Sequence, residues 1–137
     1  MKIFSKLVKM FRVLKPYTEH YMQEHYTTGL PLQRPLFLHY ENDVTAWNIS
    51  YQYMYGRDLL VAPVLQPSHS TWNAYLPAGE DWVHLFQGTV YKGGQTVTVL
   101  APIGTPPVFY RETSDWKQLF KEVAAVLTTS HSVKTEL

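Results

Sequence analysis

The chain has 137 residues, of which 45% are hydrophobic and 17% charged, a composition that can bury a core and that excludes a disordered chain. The net charge is +1, from 12 basic and 11 acidic residues, and it gives no indication of a nucleic-acid partner. No cysteine is present, which excludes disulfides, thiol catalysis and a Cys-ligated metal.

The first element in chain order is a predicted helix over residues 2–28. Its apolar residues recur at helical spacing, with Lys6, Lys9 and Arg12 on the other side. These three charges interrupt every apolar run, so we expect neither a signal peptide nor a membrane span. Pro16 predicts a kink or two abutting helices near Lys15, and Gly29 predicts the end of the helix.

The next two elements are a predicted strand and a predicted short helix. The segment RPLFLHY, residues 34–40, is short and apolar, which is typical of a strand buried on both faces in a parallel sheet. Asp43 is the expected N-cap of a helix over residues 45–55. Gly56 is expected to end that helix.

Six strand-like runs then follow at intervals of roughly ten residues, which is typical of a β-sandwich. In QTVTVL, Val97 and Val99 are expected on one face and the two threonines on the other. Gly93-Gly94 indicates a hairpin turn. A closing helix is predicted over residues 114–127, capped by Ser114 or Thr113, before a flexible tail at 128–137.

Five motifs occur in one order between residues 29 and 111. They are G-x-P-x-x-R-P at 29–35, Y-x-x-G-x-D-L-L-V-A-P-V at 53–64, Y-L-P-x-G at 75–79, G-x-x-Y-x-G-G at 88–94 and A-P-x-G-x-P-P-V-F-Y-R at 101–111. In this order and spacing the sequence resembles the C-terminal portion of glycoside hydrolase family 31, the retaining α-glucosidase family. The ending YRETSDWKQLF most resembles the sulfoquinovosidase-like branch.

The family fold is a (β/α)8 barrel followed by a β-sandwich, so the resemblance implies an α+β fragment. Residues 1–56 would be the C-terminal remnant of the barrel, with its last helix at 2–28 and its last strand at 34–40. Residues 57–127 would form the antiparallel β-sandwich with its closing C-terminal helix. The remaining neighbours of a parallel strand would then lie outside this chain.

The resemblance also implies that the catalytic groups lie elsewhere. A retaining glycosidase uses two carboxylates about 5–5.5 Å apart, as nucleophile and as general acid/base. The family's two aspartates stand upstream of the matched region, so we expect no catalytic residue here, and we assign no residue to a cofactor or a metal. An α-glycoside substrate is expected only in the context of a full-length enzyme.

Two groups of residues could form an alternative site. Glu41 and Asp43 follow the predicted barrel strand, beside His39, at the end where barrels build active sites. We interpret them instead as a turn with an N-cap aspartate and a solvated glutamate. The second group could stack on sugars, but we interpret it as sandwich core; it comprises Trp72, Tyr75, Trp82, Phe86 and Tyr91.

Arg34 is expected to form a structural clamp. It precedes a buried strand, so its guanidinium has to meet a carboxylate or carbonyl oxygens. Asp43 and Asp58 are the two candidate partners. Arg57-Asp58 is interpreted as a hinge between the two parts of the chain and not as a catalytic dyad.

Two functions remain open at this stage. The first is a fragment of an α-glycosidase, acting on O-glycosyl bonds only within a longer enzyme and inactive as an isolated chain. The second is a non-catalytic β-sandwich module that binds a glycan or a partner protein. The sequence ends in KTEL, which resembles the K-D-E-L retention signal and is also similar to a PDZ ligand.

Overall fold

The computed structural model of the protein describes residues 2–63, 71–100 and 107–125. Its helices are α1 (Lys2–Thr28), α2 (Val44–Trp47) and α3 (residues 117–125), with a 3-10 turn at Leu36–Leu38. The strands of the described part are β1 (Gln33–Arg34), β2 (Tyr53–Tyr55), β3 (Leu59–Val61), β4 (Thr71–Leu76), β5 (Asp81–His84), β6 (Val90–Lys92), β7 (Gln95–Leu100) and β8 (Val108–Arg111).

The strands form two antiparallel sheets. The larger sheet has the order β1-β2-β3-β8-β5-β6, and the smaller one pairs β4 with β7. The six predicted strand runs after residue 56 are all strands, and the domain is mostly sheet with a few helices. A barrel is not seen in the described part of the chain. The larger sheet extends across residue 56, because β2 precedes it and pairs with β3, and β1 pairs with β2.

The two sheets share one apolar core, as a sandwich does. In β7 the side chains of Val97 and Val99 are buried, while Thr96 and Thr98 between them are exposed. This alternation confirms the prediction for QTVTVL. Across the core, these valines face buried side chains of the larger sheet, which include Leu60, Trp82 and Phe109.

The larger sheet is also covered on its other face. Neighbours of the core residues, such as Leu59, Val83 and Tyr110, point to the opposite side. There they pack against α1 and α3 in a second cluster whose helical members are Leu14, Tyr17, Tyr21, Phe120 and Val123. Burial on both faces explains why the strands around Leu59–Val61 read as continuous apolar runs rather than as alternating ones.

The helix α1 confirms the prediction for residues 2–28. It ends at Gly29, which adopts a φ of 81° and donates its N–H to the carbonyl of His25 at 2.8 Å. The helix is continuous through Pro16, so the alternative of two abutting helices is wrong. Packing of Leu14 and Tyr17 on the sheet offsets the hydrogen bond that the proline ring removes.

Three other local predictions are wrong. Residues 34–40 form the end of β1 and a 3-10 turn instead of a buried strand, because the pairing seen among the described residues is antiparallel, with β2, and reaches only as far as Arg34. The helix after Asp43 stops at Trp47, and residues 53–55 are strand β2 because they pair with β3. Gly93-Gly94 does not close a hairpin, because β6 and β7 belong to different sheets.

The closing helix is present over residues 117–125, and its predicted continuation to residue 127 and the tail at 128–137 lie outside the described residues. Ser114, one of the two predicted caps, lies three residues before this helix, and its hydroxyl accepts the N–H of Trp116 at 3.0 Å in the turn that leads into it. None of the described helices combines the length and the apolar character that a membrane crossing requires.

Candidate functional site

A cleft of about 560 Å³ opens between the loop that precedes α2 and the turn between β4 and β5. Its size falls within the range of ligand sites, roughly 300–1,000 Å³. It contains the candidate residues His39, Glu41 and Asp43, which the sequence placed near a site. The complete lining is His39, Tyr40, Glu41, Asn42, Asp43, Arg57, Ala78, Gly79 and Glu80.

Asp43 ties the two sides of the cleft together. One carboxylate oxygen accepts the N–H groups of Thr45 and Ala46, which confirms the predicted N-cap of α2. The other oxygen accepts the hydroxyl of Tyr75 at 2.6 Å and the N–H of Ala78 at 2.8 Å. Burial acts to raise the pKa of Asp43, but these hydrogen bonds outweigh it and hold the pKa below its ordinary value.

Glu80 is the centre of a second network at the cleft wall. Its carboxylate accepts hydrogen bonds from the hydroxyl of Tyr40 and from Nε of Arg111. The guanidinium of Arg57 lies 3.5 Å from the same carboxylate and donates to the Tyr40 oxygen at 3.0 Å. Burial, followed by the bond to Glu80, raises the pKa of Tyr40, so this hydroxyl keeps its proton.

Asp58 is held by Arg111 and Ser114. It is 4% exposed, and its two oxygens accept Arg111 at 2.6 Å and the hydroxyl of Ser114 at 2.8 Å. Burial opposes the charge of Arg111, but its bonds to Glu80 and Asp58 prevail and raise its pKa above the ordinary value. Arg111 therefore links β8 to the turn before β3 and to the cleft wall.

Arg34 is buried, with 1% of its surface exposed, but its partners differ from those predicted. Its guanidinium pairs with Glu24 of α1, donates to the carbonyl of Pro31 at 2.7 Å and donates to Nε2 of His39 at 2.9 Å. The predicted pairing with Asp43 or Asp58 is wrong. Glu24 was missed because it lies on a helix whose orientation towards the loop only the folded chain fixes.

His39 is held as a neutral acceptor at the edge of the cleft. Burial, followed by the nearby guanidinium groups of Arg57 and Arg34, lowers its pKa from 6.5 to about 4. Since a guanidinium can only donate, Nε2 of His39 must accept the hydrogen bond from Arg34. The ring therefore serves the Arg34 clamp near neutral pH.

The aromatic residues that could stack on sugars lie mainly in the core. Trp82 is completely buried and donates its indole N–H to the carbonyl of Pro77 at 3.0 Å, and Tyr75 is also buried. Trp72, Phe86 and Tyr91 are half-buried. Nothing in this arrangement lines up a row of exposed rings on one sheet face within residues 71–100.

The site as a whole is a set of charges fixed by other protein groups. Sequence reasoning missed Tyr40, Glu80 and Arg111 as a unit, because they come together from the loop before α2, the turn before β5 and the end of β8. The motif A-P-x-G-x-P-P-V-F-Y-R, which ends at Arg111, was the feature of the sequence that could have identified this arginine as a site residue. Among residues 2–63, 71–100 and 107–125, no group of three or more His, Asp or Glu side chains is arranged to hold a metal ion.

Comparisons with known proteins agree with the motifs. The sequence pattern of the "Glycosyl hydrolase family 31 C-terminal domain" matches residues 29–114. A sulfoquinovosidase from Escherichia coli (strain K12) is 46% identical over 123 residues, which are 90% of this chain and 18% of that protein. A sulfoquinovosidase from Agrobacterium fabrum is 41% identical over the same shares.

Solved structures show the same relationship. A family-31 sulfoquinovosidase from E. rectale, in complex with an aza-sugar inhibitor, superposes with a TM-score of 0.86 at 42% identity, over 90% of this chain and 18% of that one. A family-31 α-xylosidase from a soil metagenome gives a TM-score of 0.83 at 36% identity, over 86% and 18%. The chain thus spans about a fifth of the length of these relatives, and it belongs to glycosyl hydrolase family 31 as that family's C-terminal domain.

Proposed function

We propose that this chain is the C-terminal part of a retaining α-glycosidase and that it contributes structure, not reacting groups, to cleavage of the O-glycosidic bond. In this proposal residues 1–56 derive from the end of the barrel, and residues 57–127 are the proximal sandwich with its closing helix. The two catalytic carboxylates would come from the preceding barrel.

The observation that carries the proposal is the state of the carboxylates around the cleft. Asp43, Asp58 and Glu80 each accept hydrogen bonds from at least two protein groups. A nucleophile or a general acid/base needs a free oxygen that can reach the substrate. The oxygens of these three side chains are occupied by protein groups. Glu41 is the exposed carboxylate among the residues that line the cleft.

The substrate class follows from the relatives. Both curated relatives described above are named sulfoquinovosidases, as is the enzyme in the E. rectale structure. The ending of the matched region, YRETSDWKQLF, also resembles this branch. We therefore infer that the full enzyme acts on α-glycosides of sulfoquinovose.

A glycan-binding module has less support. Such a module presents aromatic rings whose faces are open to a sugar, whereas Trp82 and Tyr75 are buried in the shared core. Their indole and hydroxyl groups are bonded within the domain. We do not propose it as a second function.

The test is an assay of the purified chain with 4-nitrophenyl α-sulfoquinovoside and 4-nitrophenyl α-glucoside. We expect no nitrophenolate above the buffer rate, while the E. coli sulfoquinovosidase releases it from the sulfoquinovoside in the same buffer. Glu41→Gln is the decisive variant. Release by the chain that this substitution abolishes would show that the domain carries its own reacting carboxylate, and it would overturn the proposal.

A further inference from the structure

The sequence contains one tripeptide of the form Asn-x-Ser/Thr, which is Asn48-Ile49-Ser50. When the middle residue is not proline, the asparagine amide of such a tripeptide can accept an N-linked glycan, and the hydroxyl two residues later is required with it. We call these three residues the acceptor tripeptide. Because so short a pattern also arises by chance, its place in the fold decides whether it can be modified.

The acceptor tripeptide lies where α2 ends. Asn48 is the C-cap of this helix, and its backbone N–H donates to the carbonyl of Thr45 at 3.0 Å. Residues 48–52 belong to neither a helix nor a strand and connect α2 to β2. N-glycans are attached at surface loops, because the transferase has to reach the asparagine from solvent.

The side chains of the tripeptide alternate between solvent and core. Asn48 and Ser50 are exposed, whereas Ile49 between them is half-buried and packs on the core that the two sheets share. Ile49 thus anchors the backbone from the inner side. The amide and the hydroxyl, which are the two groups that the modification needs, are presented together to solvent.

The amide of Asn48 is weakly engaged by the domain. Its Nδ2 donates to the carbonyl of Val44 at 3.4 Å, which is longer than the usual range of roughly 2.7–3.2 Å. A glycan would replace one of the two hydrogens on Nδ2 and leave the other in place. Because Asn48 is exposed, the modification deprives no buried group of its partner.

The two other asparagines of the chain lack these properties. Asn42 and Asn73 are followed, two residues later, by valine and tyrosine instead of serine or threonine. Asn73 also lies within β4, where its Oδ1 accepts the hydroxyl of Thr98 at 2.6 Å. Asn48 is therefore the asparagine at which the required sequence and an accessible loop coincide.

We propose that Asn48 is an acceptor of N-linked glycosylation. The donor is an oligosaccharide joined through a diphosphate to a membrane lipid. A bond forms between Nδ2 and the anomeric carbon, the bond from that carbon to the diphosphate oxygen breaks, and the amide proton passes to a base of the transferase. The proposal does not rest on the proposed function, and Asn48 is not among the residues that line the cleft.

The test imports the full chain into microsomes of the endoplasmic reticulum, which hold both the donor and the transferase. The chain is translated behind a cleavable signal peptide, and the product is analysed before and after treatment with peptide N-glycosidase. We expect more than about half of the imported chain to carry one glycan that the glycosidase removes. The enzyme leaves aspartate at the modified position, so peptide mass spectrometry identifies Asn48.

Ser50→Ala isolates the requirement for the hydroxyl, because it leaves Asn48 itself unchanged. We expect this variant to lower the glycosylated fraction by at least about tenfold, whereas Ser50→Thr keeps it. Asn73→Gln is the matched control and should leave the glycosylated fraction unchanged. Ser50 is exposed, so its substitution leaves the packed core intact.

Three results would overturn the proposal. The first is an imported chain without any form that the glycosidase changes, and the second is a glycosylated form that persists in Ser50→Ala. The third comes from the protein in its own cells, where mass spectrometry that finds Asn48 unmodified in every copy would show that the residue is not used as an acceptor.

Discussion

Arg111 joins two carboxylates at once, Glu80 at the cleft wall and Asp58 beneath it. Asp58 is buried, so without its cation it would be a charge in a poorly solvated place. The cost of removing one partner from such a pair exceeds what the pair itself contributes. This asymmetry makes Arg111 the residue on which the site's integrity depends most.

Arg111→Met tests this dependence. Methionine keeps much of the side chain's volume but leaves Asp58 and Glu80 without the guanidinium, so we expect a loss of about 3 kcal/mol in the free energy of unfolding. Urea unfolding of the isolated chain measures it. Arg12→Met is the matched control, because Arg12 is exposed on α1, and it should cost less than about 0.5 kcal/mol. Equal losses in the two variants would contradict the account.

His39 predicts a pH dependence of stability. Its pKa is lowered to about 4 in the folded chain from 6.5, so between these values the unfolded chain binds a proton that the folded chain does not. The free energy of unfolding should therefore fall as the pH is lowered from 6.5 towards 4. Protonation would also place a second cation against Arg34.

His39→Gln separates this contribution from those of the carboxylates. Glutamine can still accept a hydrogen bond from Arg34 but has no proton to gain. We expect the difference in unfolding free energy between the native chain and the variant to shrink steadily between pH 6.5 and 4, as measured by urea unfolding at each pH. A difference that stays constant over this range would show that His39 does not titrate as described.

At the scale of elements, the turn between β2 and β3 depends on Gly56. Its φ is 67°, and a Cβ atom there would lie 2.5 Å from the hydroxyl of Tyr17 and 2.9 Å from the ring of Tyr21. Tyr17 and Tyr21 are among the residues with which α1 packs on the sheet. The glycine is thus needed both for the backbone conformation and for the close approach of the helix.

Gly56→Ala should therefore cost more than the same change elsewhere. Gly88 is the matched control, because its φ is 74° and a Cβ there meets nothing within 4 Å. We expect about 1 kcal/mol for Gly88→Ala, from the backbone alone, and about 2–4 kcal/mol for Gly56→Ala, which adds the cost of displacing two packed rings. Thermal unfolding of both variants gives the comparison, and equal costs would refute the close approach.

The elements that the sequence predicted correctly are those whose evidence is local. The alternation of Val97 and Val99 identified β7, and the apolar spacing from Leu14 to Tyr21 identified α1. Residues 34–40 were predicted wrongly because an apolar run is equally compatible with a strand or with the 3-10 turn that is seen. Gly93 looked like a hairpin residue, but a Cβ there would lie 2.2 Å from the carbonyl of Pro77, so the glycine allows two sheets to meet.

The candidate site was harder to predict, because most of its contacts join residues that are far apart in the chain. The burial of Arg34 and the capping role of Asp43 follow from their immediate neighbours, and both are seen. The partners of Arg34 and Asp58 are far away in the chain, with Arg111 and Ser114 reaching Asp58 across 53 and 56 residues. Such pairs depend on the packing of whole elements, which a single sequence does not display.

At the scale of the whole molecule, we propose that this family-31 domain supports a reaction whose carboxylates lie in the preceding part of the enzyme. Asp43, Asp58 and Glu80 are each engaged by other groups of the domain. Such carboxylates are not free to react with a substrate, which is what this proposal requires.

The hydrolysis rate of a hybrid enzyme, the E. coli sulfoquinovosidase in which the 123 aligned residues are replaced by those of this chain, is the decisive measurement. The hybrid is compared with the intact E. coli sulfoquinovosidase on 4-nitrophenyl α-sulfoquinovoside, after thermal unfolding has shown that it is folded. We expect its kcat/KM to lie within about tenfold of the intact enzyme's, which corresponds to a loss of at most about 1.4 kcal/mol in transition-state stabilisation. A folded hybrid that is no faster than the isolated chain would contradict the account.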